Sequence, residues 1–287
     1  MLATLVAVVL ALAALAQAAA AKQGPHRASP SSAGVEVGVA SAQATGDGST
    51  ASATASCPHG TKAAGGGFDA PSSADVIALV YESVKVGHGS WRASVQLFDP
   101  GESNTVTLTT FVYCRAHFPN TRTSTDTVPT TGELQVGPTA SAQCPPGESA
   151  TAGGFHMPPP LGEVSVTDLF FDSLRSGPSA WDARVATGPA GPSTVTSEVY
   201  CSKAVPPPTE VQAQSPPVAV NAQPGVATAT CPSGTSAAAG GFAQPQSNVD
   251  SFFFLYSSMR VGDGWQVSGL HSGGNPAVAL TGAGYCA

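Results

Sequence analysis

Charge is scarce in this sequence: Asp, Glu, Lys and Arg make up 10% of its residues, against roughly 25% in ordinary soluble domains. That scarcity argues against long helices with charged outer faces. The 11 Lys and Arg form no basic run able to displace counterions, and 18 Asp and Glu leave a net charge of −7, so nucleic acid is excluded as a partner. No Cys-x-x-Cys occurs and no histidine recurs beside the cysteines, so no metal is expected. The Gly-Gly-Phe turns lack a following helix and a Lys-Ser/Thr, which excludes a phosphate loop, and no cofactor is expected. What abounds is Gly, Pro, Ala, Ser and Thr, a composition suited to short strands and many turns.

One long apolar run exists, at the start. The first 21 residues carry no charged side chain and end in the small-residue stretch Ala16 to Ala21. This reads as a secretory signal cleaved near Ala18 to Ala21, although the first cation, Lys22, follows the apolar run instead of preceding it. The competing reading is an uncleaved anchor, since about 20 apolar residues can span a bilayer. Either reading places the remainder outside the cytoplasm, with no other membrane contact.

Alignment on the six cysteines reveals an internal triplication. Cys57, Cys144 and Cys231 are 87 and 87 positions apart, and Cys114, Cys201 and Cys286 are 87 and 85 apart. Each copy begins with Cys-Pro-x-Gly, places Phe68, Phe155 or Phe242 at the end of Gly-Gly-Phe, then Trp91, Trp181 or Trp265, and closes on Tyr-Cys. The organisation expected is a signal at 1–21, a linker at 22–34, repeats at 35–115, 133–202 and 218–287, and Pro/Ser/Thr-rich linkers at 116–132 and 203–217. On this reading the repeats are separate beads.

Residue parity assigns the faces. Ala53, Ala55 and Cys57 alternate with Thr54 and Ser56, while Val106, Leu108, Val112 and Cys114 alternate with Thr107, Thr109 and Tyr113. Period-2 alternation puts both cysteines on the apolar face, so a bridge between two sheets is expected. The predicted fold is all-β: three tandem small antiparallel sandwiches or barrels of five or six strands, closed by Cys57–Cys114, Cys144–Cys201 and Cys231–Cys286. Closing a loop of about 58 residues restricts the unfolded chain by roughly 4 kcal/mol, as much as a domain this small holds in total. The order Cys, Trp, Cys invites comparison with an immunoglobulin domain, but the Trp stands 34 to 37 residues after the first Cys, too late for that fold.

The unit Cys-Pro-x-Gly, Gly-Gly-Phe, Trp, Tyr-Cys resembles a repeat of secreted and cell-surface proteins, mostly hypothetical, of GC-rich bacteria such as actinobacteria. The resemblance covers 51–115, 138–202 and 225–287. It implies an extracellular β module and supplies no activity or site residues.

If each copy does the same chemistry, its chemical residues must recur, and the histidines do not: His59, for example, is matched by Pro146 and Ser233. Ser83, Ser173 and Ser258 recur without a shared base, and Glu82 and Asp172 correspond to Ser257, so neither a serine nucleophile nor a carboxylate pair repeats. A site confined to one copy stays open, with His59, His88 and His117 as the only histidine cluster. One polar pattern survives. Tyr81, Ser83 and Lys85, then Phe171, Ser173 and Arg175, then Tyr256, Ser258 and Arg260, place a ring, a hydroxyl and a cation at alternate positions of one strand. Such a stripe suits a sugar ring or an anionic polymer; alternatively the cation stacks on a neighbouring ring. The function expected is a non-enzymatic extracellular or envelope protein, structural or binding a polysaccharide or cell-wall polymer. A hydrolase or inhibitor with one site is the alternative.

Overall fold

Thr-, Val- and Ala-rich alternation folds each copy into six strands. The structure is a computed structural model describing residues 34–73, 76–99, 103–130, 135–159, 169–187, 193–219, 224–244, 251–273 and 277–287. The expected signal and all but the last residue of the first linker lie outside the described residues. Copy 1 forms β1 (Val35–Thr45), β2 (Thr50–Ser56), β3 (Thr61–Asp69), β4 (Ile77–Val86), β5 (Ser90–Phe98) and β6 (Thr105–Ala116). Copy 2 forms β7 (Arg122–Pro129), β8 (Gln135–Gln143), β9 (Ser149–His156), β10 (Leu169–Gly177), β11 (Ala180–Thr187) and β12 (Thr194–Ser202). Copy 3 forms β13 (Thr209–Gln214), β14 (Gly225–Ala229), β15 (Ala237–Ala243), β16 (Ser251–Val261), β17 (Gly264–Gly273) and β18 (Thr281–Cys286).

The fold is all-β and antiparallel, in three six-stranded sheets, and no sheet closes into a barrel. The sheets do not follow the copies. Their orders are β1-β6-β3-β16-β17-β14, β2-β5-β4-β9-β12-β7 and β13-β18-β15-β10-β11-β8. Each copy therefore contributes half of two sheets, and each sheet crosses a seam between copies. The seams repeat: Ser258 pairs with Phe68, Ser83 with Phe155, and Ser173 with Phe242. At the outer corners β1 lies beside β2, β7 beside β8 and β13 beside β14, so the sheets form the sides of a triangular prism with one copy at each corner. One apolar core runs through all three copies, with Phe155 against Phe68 at 6.3 Å and against Phe242 at 5.7 Å near the axis.

Two expectations are corrected here. Separate beads are replaced by shared sheets, because the inner strands β3, β4, β9, β10, β15 and β16 complete their pairing only on a neighbouring copy. The stretches 116–132 and 203–217 are not plain spacers, because they contain β7 and β13. These are edge strands with alternating exposure, placed as β1 is in copy 1, with proline only at their margins, where an edge tolerates a missing donor.

The disulfides pair within copies as expected, with Cα separations of 5.7, 5.6 and 5.7 Å. Cys57 follows β2 and Cys114 lies on β6, strands of different sheets, so the bridge fastens the two sheets of one copy.

Candidate functional site

The repeated landmarks converge on the seams. A Cβ on Gly66, Gly153 or Gly240 would fall within the ring of the same copy's tryptophan. A Cβ on Gly67, Gly154 or Gly241 would strike the carbonyl oxygen of Ser258, Ser83 or Ser173 across the seam. The first glycine of Gly-Gly-Phe thus admits the indole, and the second admits the neighbouring copy. Each indole N–H donates to the serine of its own copy: Trp91 to Ser83 at 2.9 Å, Trp181 to Ser173 at 3.0 Å and Trp265 to Ser258 at 3.0 Å.

Each tryptophan then packs edge to face on the tyrosine of the next copy: Trp91 on Tyr200 at 5.6 Å, Trp181 on Tyr285 at 5.1 Å and Trp265 on Tyr113 at 5.5 Å. The tyrosine hydroxyls accept backbone N–H groups from the same neighbours, Lys85 and Arg175 at 2.7 Å and Arg260 at 2.8 Å. The Tyr of Tyr-Cys is therefore a joint between copies.

The expected stripe is drawn into this joint. Ser83, Ser173 and Ser258 are buried. Lys85 Nζ lies 5.8 Å over the Tyr200 ring and donates to the Ala63 carbonyl and the Thr121 hydroxyl. The Arg175 guanidinium lies 4.9 Å over Tyr285 and donates to the Pro208 carbonyl and Glu210. Arg260 donates to the Gly262 carbonyl and faces Asp263 at 3.5 Å. Tyr81 and Tyr256 do not share that face. Register shifts between Val80 and Glu82, Phe170 and Asp172, and Leu255 and Ser257 make Tyr81, Phe171 and Tyr256 the extra residue of a β-bulge, which breaks the alternation assumed from the sequence. Tyr81 packs half-buried against the core, and Tyr256 is hydrogen-bonded to Ser268.

Burial shapes the titration of this region. It lowers Lys85 to about 8, helped by the nearby Lys62 cation. It pushes the phenols of Tyr113, Tyr200 and Tyr285 up, with Glu198 adding to the effect at Tyr200. On the outer face of the sheets, burial raises the Asp172 carboxyl despite its ion pair with Arg184 and the Gln244 N–H.

Among chemical candidates, His59, His88 and His117 are exposed at the disulfide end, and no metal-holding cluster exists among the described residues. The sequence reading missed one pair: Ser251 Oγ lies 2.7 Å from His271 Nε2, with both residues buried and His271 Nδ1 without a partner. No repeat position carries that pair, since residues equivalent to His271 are Leu97 and Thr187, so the triplication test passed over it.

The two ends of the prism differ. At one lie the bridges, the Cys-Pro-x-Gly turns and both ends of the described chain, where Val35 pairs with Arg115 and Cys57 N–H reaches the Gly89 carbonyl at 2.7 Å. At the other lie residues 46–49, 70–73, 76, 99, 103 and 104, with the Gly46 N–H on the Asn104 carbonyl at 3.1 Å. There Ile77, Leu79 and Phe254 form an apolar cluster flanked by half-buried Phe98, Phe252 and Leu270.

Fold and joints together define a pseudo-threefold, disulfide-fastened β-repeat protein. No protein-family model and no curated protein matches the chain.

Proposed function

We propose that the chain is a secreted or cell-envelope protein without catalytic activity, either structural or binding an extracellular polysaccharide or cell-wall polymer. The observation that carries this reading is the division of residues between the two ends. The recurrent hydroxyls and the Lys85 and Arg175 cations serve the joints, while the copies differ in sequence and length at 70–76, 157–168 and 244–250, and Phe98 and Phe252 stand half-buried beside the apolar cluster at the opposite end. Binding loops carried on a rigid frame show this partition. Three disulfides agree with an oxidising compartment. Polymer contact through the Tyr81, Ser83 and Lys85 stripe or its counterparts would require the joints to open, so the loop end is the surface this reading uses.

The test is co-sedimentation of the full chain with purified cell-wall polymer and with insoluble neutral glycans. Wild-type protein is expected in the pellet, and a Phe98→Ser, Phe252→Ser double variant with an unchanged melting point in the supernatant. Equal sedimentation of both would remove the loop end from the reading. The hydrolase alternative draws on the Ser251–His271 pair, and a fluorophosphonate probe that labelled Ser251 would favour it.

A further inference from the structure

The three seam serines meet at one place. Ser83, Ser173 and Ser258 together line a cavity of about 20 Å³, beside Phe68, Phe155 and Phe242. Each serine oxygen accepts an indole N–H. A hydroxyl that accepts still has one hydrogen to donate, and no acceptor for these three hydrogens is found among the described residues. Relative exposures of 5%, 3% and 4% keep them from bulk solvent. Buried donors of this kind are rarely left unmatched in folded proteins.

We propose that this cavity binds one water molecule, shared by the three copies on the pseudo-threefold axis. The volume exceeds the roughly 10–15 Å³ that a water needs, and three hydroxyls fall within the two to four polar partners it requires. Its oxygen accepts from two serines, matching two of the three hydrogens, and one of its own hydrogens returns to the free lone pair of the third serine. A halide would meet the same donors. No cation lines the cavity, however, and an ion stripped of hydration in a neutral site is strongly disfavoured. The bound water gives Ser83, Ser173 and Ser258 a reason to recur that needs no catalytic role: each holds its own tryptophan and shares one ligand with the other two copies.

The experiment is a high-resolution crystal structure of the full chain grown with sodium bromide as the only halide salt, with data collected at the bromine absorption edge. The expected result is one peak on the axis, within about 2.6–3.2 Å of at least two serine Oγ atoms, without bromine anomalous signal. An anomalous peak at that position would make the site a halide site and overturn the proposal, and an empty cavity would overturn it equally. In a Ser83→Ala variant that still folds, the peak should persist on Ser173 and Ser258 alone. If it moved away from both, the serines would not be its ligands.

Discussion

The Tyr113 hydroxyl accepts the backbone N–H of Arg260 at 2.8 Å, joining residues 147 positions apart and closing copy 3 onto copy 1. The same bond at Tyr200 and Tyr285 makes the other two joints, so the molecule is a ring of equivalent interfaces made from one chain.

Tyr113→Phe should leave the Arg260 N–H buried without an acceptor and cost about 1–3 kcal/mol. Tyr200→Phe and Tyr285→Phe should cost similar amounts. Urea unfolding of the three variants checks this. Losses confined to one of them would show that the joints are not equivalent.

Much of this arrangement was legible in the sequence, and the part that was not has physical causes. Parity placed Cys57 and Cys114 on the apolar face correctly, because strand alternation is local. Parity failed at Tyr81, where a bulge inserts a residue and reverses the alternation. Residues 123–127 alternate Thr with Ser and Asp, as an edge strand does, but the nearby prolines gave them the look of a spacer. The seam between Ser83 and Phe155 could not be read at all, since pairing between copies leaves no periodicity within either one. Its only trace was the second glycine of Gly-Gly-Phe, which the neighbour's carbonyl requires.

Gly67→Ala should therefore destabilise more than Gly60→Ala, even though Gly60 sits at φ 87° in an open turn. At Gly67 the added carbon meets the Ser258 carbonyl, a backbone atom that can move only by parting the seam. Overpacking of this kind costs typically about 1–3 kcal/mol, whereas strain at a positive φ alone costs about 1–2 kcal/mol. Thermal melts of both variants measure the difference, and a larger loss at Gly60 would contradict the seam.

Stability should depend on pH in two opposed limbs. Lys85 has a folded pKa of about 8 against an ordinary lysine value of 10.5, so between those values the unfolded chain binds more protons and stability rises with pH. The size is on the order of 2 kcal/mol, allowing for partial exposure, at 1.36 kcal/mol per unit. Above about pH 10 the buried tyrosines reverse the trend. Their folded pKa values are raised, so unfolded phenols release protons first and stability falls. Denaturant midpoints measured from pH 7 to 11 should pass through a maximum near pH 10. Lys85→Met should flatten the rising limb and leave the falling one. Persistence of the rise in that variant would assign it to another group.

An excised copy 2, residues 122–202, should not behave as a monomeric domain even with Cys144–Cys201 intact. Its inner strands β9 and β10 lose their partners β4 and β15, and Trp181, Tyr200 and Phe155 lose the rings they pack on. The lost contact is of one type, in which the tryptophan side of a copy meets the tyrosine side of the next, and three successive copies close the ring. Head-to-tail contacts that close after three steps generate a cyclic trimer when identical units supply them. Oxidised copy 2 is therefore expected to assemble as a homotrimer, with a light-scattering mass three times that of the chain. Dilution should dissociate it, with loss of Trp181 protection from fluorescence quenchers. Its joints will be weaker than those of the full chain: Arg175 would face Thr123 in place of Glu210, and a tandem chain holds its copies at an effective concentration in the millimolar range. A cooperative melt at monomer mass, with a midpoint independent of concentration, would show that one copy holds its own core and that the joints are dispensable for folding.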